Sequence, residues 1–183
     1  MNAILKGVRP LDYVLAGLLT AAGALLMVEN IVAGDDESLA HPVSTTSWLI
    51  LPVFALVTLP ILWRRRNILA VVGVTIVAAG VHVLAFDWLT RCGAALPLSF
   101  ALAYAVARFA GNLRNQLAGA AAVVVLQVVV LFHDSSIGTV PDGLVIAIPG
   151  AALFYGIGLL VQNRVGGRQR QTAAAPAAER AVV

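Results

Sequence analysis

Five ionisable side chains, Glu29, His82, Asp87, His133 and Asp134, stand in or beside long apolar runs. Histidine changes charge between about pH 5 and 8, and a carboxylate can pair with it or share a cation. A cluster of these types therefore has the chemistry of a pH or cation sensor, with His41 in the first loop as a neighbour. An ionisable group inside an apolar span is costly to keep and is a functional candidate for that reason. A plainer structural reading competes with it. His133 and Asp134 open a loop, Asp87 can pair with Arg91 at i,i+4, and His82 can satisfy itself on a backbone carbonyl. His82 and Asp87 are about 140° apart around a helix and do not share a face.

Catalytic equipment is missing from the sequence. It has no GxxxxGK[ST] loop, no HExxH, no paired cysteines and no run of carboxylates within an apolar segment, which argues against hydrolysis, metal catalysis and ion pumping. We therefore expect no catalytic residues, no cofactor and no metal site, and no enzymatic activity. Cys92 is the single cysteine; without a thiol partner it reads as a small packing residue.

The elements that position these groups follow from composition. Of the 183 residues, 60% are hydrophobic and 11% charged, with a mean hydropathy of +0.92. Soluble domains hold about 45–50% apolar and about 25% charged residues, so the chain belongs to the membrane class. A bilayer core about 30 Å thick needs roughly 20 apolar residues per helix. Six runs qualify: 11–33, 47–63, 68–89, 92–107, 117–132 and 143–161. The expected fold is all-α, an integral membrane helical bundle of about six transmembrane helices. The fourth and fifth runs are the weakest, and their fusion into one span is the competing topology. Residues 1–163 form the membrane domain. The stretch 164–183, rich in Arg, Gln and Ala and broken by glycine and proline, reads as a basic disordered tail.

Charge sorts by loop. Lys6, Arg9, Arg64, Arg65, Arg66, Arg108, Arg114 and the tail arginines fall on one side, Arg91 being the exception, while Asp35, Asp36, Glu37, Asp87, Asp134 and Asp142 fall on the other. The positive-inside rule makes the basic side cytoplasmic, with both termini there, in a multi-pass protein of the cell membrane. The run Arg64, Arg65, Arg66 then acts as a topology determinant, more than as a headgroup site. Asp12, near Arg9, is a first-turn carboxylate favourable to its helix dipole. The first run is longer than the about 7–15 residues of a signal-peptide core and reads as a retained helix. Small residues, Gly150 and Gly156 among them, offer close helix packing within the chain or against a partner, and Pro149 is placed to kink the last span.

The stretches RPLDYVLAGLL, LILPVFALVTLPILWRRRNILAVVGV and LSFALAYAVARFAGNLR resemble the N-terminal multi-span membrane region of actinobacterial sensor histidine kinases over residues 9–165. The shared features are Pro60 to Arg66 as a P-x-x-W-R-R-R signal and Tyr104 to Arg108 as a Y-x-V-A-R end. Asn67 and Ile68 stand where that family commonly has a proline. The resemblance implies an input region without the kinase domains, since no cytoplasmic phospho-accepting histidine follows. His133 and Asp134 look like an acceptor pair but fall on the outer side. The resulting expectation is a non-catalytic sensor-like membrane protein acting through helix packing on a membrane partner. The alternatives are a transporter subunit or accessory and a purely structural protein. Expected partners are the lipid bilayer and a membrane protein or second copy, with no nucleic acid.

Overall fold

The computed structural model describes residues 7–32 and 38–180, with side chains as far as residue 165. Asp35, Asp36 and Glu37 lie outside the described residues. The elements are α1 (Pro10–Val32), α2 (Ile50–Thr58) continued by a 3-10 helix (Leu59–Trp63), α3 (Ile68–Phe86), α4 (Cys92–Phe109), α5 (Leu113–Leu131) and α6 (Val140–Arg180). Among the described residues there is no strand, only an isolated parallel bridge between Leu89 and Asp134. Five segments are long and apolar enough to cross a membrane: Pro10–Val32, Ile68–Phe86, Cys92–Phe109, Leu113–Leu131 and Val140–Val165.

The second predicted run departs from expectation. The helical part is only Ile50–Trp63, and the α ladder gives way to 3-10 geometry just before Pro60, which has no N–H to donate. The whole piece is about 23 Å long, short of a full hydrocarbon core of about 30 Å. Residues 47–49 do not extend it, because short hydroxyl side chains compete for their backbone donors. Thr45 Oγ1 accepts from Ser47 N–H at 3.3 Å and Ser47 Oγ from Leu49 N–H at 3.3 Å.

The fourth and fifth runs are separate helices. Gly111 turns the chain at φ +78°, a conformation that favours glycine. Asn112 then caps α5 by accepting from Asn115 N–H at 2.8 Å. Asn67 caps α3 in the same way through Ala70 N–H. At the start of α6, Asp142 Oδ2 accepts from Thr139 N–H at 2.9 Å and from its hydroxyl at 2.7 Å. The α6 backbone is helical to Arg180, where a disordered tail was expected from residue 164.

Helix α4 packs against α1, α3, α5 and α6 and carries a dense buried set including Leu98, Leu102, Ala105 and Val106. Close approach to α6 depends on Gly158, where a Cβ would stand 2.6 Å from the Tyr104 carbonyl oxygen. Gly150 also faces inward, toward the Phe100 ring, so it serves packing within the chain and not a partner surface. Gly156 has nothing within 4 Å of an added Cβ. Gly158→Leu is therefore expected to lower stability by about 2–3 kcal/mol through overpacking, and Gly156→Leu by less than about 0.5 kcal/mol. Denaturant unfolding of the two variants in mild detergent checks this; equal losses would refute the assignment.

Large apolar side chains point outward along the helices, with Leu25 72% and Leu84 86% exposed. Such faces suit a hydrocarbon solvent. The bundle also has two chemically distinct ends. The start of α1, residues 64–67 and residues 110–112 meet at a basic end, and the end of α1, residues 87–91 and residues 132–139 meet at an acidic end.

Candidate functional site

At the acidic end the chain crosses itself repeatedly. Backbone bonds join Ser44 N–H to Trp88 O, Leu89 N–H to His133 O, Ser135 N–H to Leu89 O, and His41 N–H to Ser135 O. Three loops thus form one cap over the bundle. Asn30 ties α1 to it, donating from Nδ2 to Leu26 O and Thr90 O at 2.9 Å and accepting from Thr90 N–H at 2.8 Å.

The centre of the cap is Arg91, 2% exposed. Its Nε donates to His82 Nδ1 at 3.1 Å, Nη1 to His133 O at 2.9 Å and to Leu89 O at 3.4 Å, and Nη2 to Asp87 O at 2.5 Å. Acceptance at Nδ1 fixes the neutral His82 tautomer with its proton on Nε2, and the ring lies between Phe54 and Phe86. Burial pushes Arg91 down to about 10, against the opposing pull of Asp134 and then Asp87. It therefore remains a cation at neutral pH. From about 10 up to its higher ordinary value the unfolded chain binds more protons than the folded one, so this group raises stability with pH only in that alkaline window.

Asp134, fully buried, supplies what α4 lacks. No side chain of its own caps that helix; instead Asp134 Oδ2 accepts from the backbone N–H groups of Arg91 at 2.8 Å and Cys92 at 2.7 Å. Oδ1 accepts from Ser136 N–H at 3.0 Å and its hydroxyl at 2.6 Å. A carboxylate there satisfies orphan donors and complements the helix dipole. Cys92 is half-buried, its Sγ 3.1 Å from Ser136 Oγ.

His133 and Asp87 pair with each other at the rim, Nδ1 to Oδ1 at 2.5 Å, an ion pair only when the histidine is protonated. They are also the two non-glycine positive-φ residues among those described, at 57° and 51°. Such conformations cost about 1–3 kcal/mol each and persist only where surroundings enforce them. His133 is sandwiched by Trp88, with centroids 4.7 Å apart, and Phe132, at 4.2 Å, while His41 lies on Trp88 at 4.0 Å. A pocket of about 250 Å³ opens beside them, lined by Trp88, Phe132, His133, Gly138 and Thr139.

Four of the five sequence candidates thus converge, His82, Asp87, His133 and Asp134, with Arg91 as their common partner. Glu29 does not join them; it is exposed, and its neighbour Asn30 turns inward instead. Two pairings differ from expectation. Asp87 gives Arg91 its carbonyl and turns its carboxylate to His133, because its positive φ swings the side chain away from the next helical turn. His82 also takes a partner the expectation did not name, accepting from Arg91 at Nδ1. Among the described residues no group of three or more His, Cys, Asp or Glu could hold a metal ion.

The basic end has its own buried centre. Asp12, fully buried, accepts from Arg64 Nε at 2.9 Å and Arg64 Nη2 at 2.7 Å, and from Arg65 Nε at 2.8 and 3.1 Å. Arg9 contributes only its backbone N–H, at 2.9 Å, in a reciprocal cap with Asp12 N–H. Arg65 also lies over the Phe109 ring at 5.0 Å. The arginine run therefore clasps α1 as well as sitting in a short loop.

Between the two ends the polar groups are uncharged. Gln127 Nε2 donates to Ala147 O at 2.9 Å and Ser99 Oγ at 3.1 Å, and the Thr20 and Thr58 hydroxyls meet at 2.7 Å. These bonds join α5 to α4 and α6, and α1 to α2. Comparison with models of known protein families, with curated proteins and with solved structures finds no match for this chain.

Proposed function

We propose that this chain is a multi-pass protein of the cell membrane with its basic end inside. In this reading it is a non-catalytic input module of the kind found in sensor histidine kinases, acting on a membrane partner through helix packing. The observation that carries the reading is the rim pair: two strained non-glycine residues, His133 and Asp87, bonded to each other over a buried arginine. Strain of this type concentrates at switch sites. The His133 and Asp87 carbonyls both sit on Arg91, which reaches α3 through His82. A signal at the rim therefore has a route into the helices.

Two measurements test the proposal. Cysteine at position 138 should label from outside intact cells, and cysteine at 67 or 112 only after permeabilisation; outside labelling at 67 would refute the orientation. Spin labels at 67 and 112, in proteoliposomes, should differ in separation between wild type and His133→Ala. The same distance in both would refute the input role. A photocrosslinker at Gly156, on the open side of α6, captures the partner.

A transporter subunit draws on one observation, the break from α2 into a 3-10 helix, since broken helices line many transport sites. The break is closed by Thr20 and Thr58 bonding each other, and the input reading is the stronger.

A further inference from the structure

The shortness of α2 and its turn into a 3-10 helix leave a groove between that segment and α3. One part has a volume of about 750 Å³ and an adjoining part about 320 Å³; they share Pro60, Trp63, Ala70 and Val74. The walls are apolar, and Leu56, Val74 and Val77 are exposed along it. Its mouth is different, with exposed Arg66 and Asn67 beside Trp63. We propose that this groove is a binding site for an anionic phospholipid of the inner leaflet, with one acyl chain along α3 and the phosphate at Arg66. The proposal rests on the membrane orientation given above.

Three features fit that occupant. The α3 wall runs from Asn67 to Ala78, about 16 Å at about 1.5 Å per residue, against about 15 Å for the hydrocarbon of one leaflet. Tryptophan and arginine at one end place the mouth at headgroup depth. Charge is the third. Arg64 and Arg65 share the one carboxylate of Asp12, and Arg66 adds a third guanidinium to the same run, so this corner is basic. A second copy docking here by two-fold symmetry would bring those charges against their own mates. At Gly73 an added Cβ meets nothing within 4 Å, so the groove floor is open and can be filled without disturbing the fold.

Trp63 supplies the readout. Its fluorescence is obtained as the difference between wild type and Trp63→Phe in vesicles carrying acyl-brominated phosphatidylglycerol or, at equal mole fraction, acyl-brominated phosphatidylcholine. About one extra arginine contact predicts a roughly fivefold preference for the anionic lipid. Arg66→Gln should abolish the preference while leaving general quenching, and Gly73→Leu should reduce quenching by both lipids. Equal quenching by the two lipids in wild type would overturn the proposal. So would quenching that falls as protein crowding rises, which would place a second copy in the groove. Absence of quenching by either lipid would instead refute membrane insertion itself.

Discussion

Asp12→Asn is expected to destabilise the bundle by about 3–5 kcal/mol, because it removes the countercharge of an arginine already withdrawn from solvent. Arg64 is 8% exposed and Asp12 fully buried. Asparagine keeps the size of the side chain and its reciprocal cap with Arg9, so the loss reports charge and not packing. Arg64→Ala should cost less than Asp12→Asn, since Arg65 still grips the carboxylate through two bonds. Arg66→Ala, at an exposed position, should cost under about 1 kcal/mol. Reversible unfolding in mixed detergent measures all three. Equal effects from Arg64 and Arg66 would mean that the run acts through its loop charge alone.

Arg91→Leu is expected to cost a comparable amount, about 3–5 kcal/mol, for a different reason. Four acceptors lose the guanidinium at once, His82 Nδ1 and the carbonyls of Leu89, His133 and Asp87, and only the Leu89 and His133 carbonyls keep a backbone donor. Each buried group left unmet costs about 1–3 kcal/mol, and the losses are not additive. Arg91→Lys should recover only part of the loss, because an ammonium cannot span acceptors arranged around a planar fork. Arg114→Leu, at an exposed site, serves as the reference and should shift stability by less than about 0.5 kcal/mol. Unfolding midpoints of the four proteins decide the matter, and an Arg91→Leu value near that of Arg114→Leu would remove Arg91 from the centre of the cap.

The signal for both buried centres lay in the charge pattern. Asp12 is the one carboxylate at the basic end before the tail, and Arg91 the one basic residue at the acidic end. A charge kept against the prevailing sign of its end needs a local partner, and each has one. Sorting loops by sign finds these two residues, but reading them only as exceptions leaves their partners unknown. Asn30, Trp88 and Gln127 carried no comparable signal, since an amide or an indole in an apolar run is equally at home on a membrane face.

Apolar runs of about 20 residues, separated by polar breaks, determined the all-helical architecture and most helix positions without reference to any contact, because backbone groups in an apolar medium must bond within their own segment. Asn67, Asn112 and Thr139 with Asp142 set helix starts through local bonds that the hydropathy pattern did not report. Tertiary structure decided the rest. It shortened the second run, turned Gly150 inward to Phe100, left Glu29 outside the cap and joined His82, Asp87, His133 and Asp134 through Arg91. Each of those outcomes depends on groups separated by tens of residues in sequence, and hydropathy reports how far a side chain prefers water or lipid, not which other side chain it will meet.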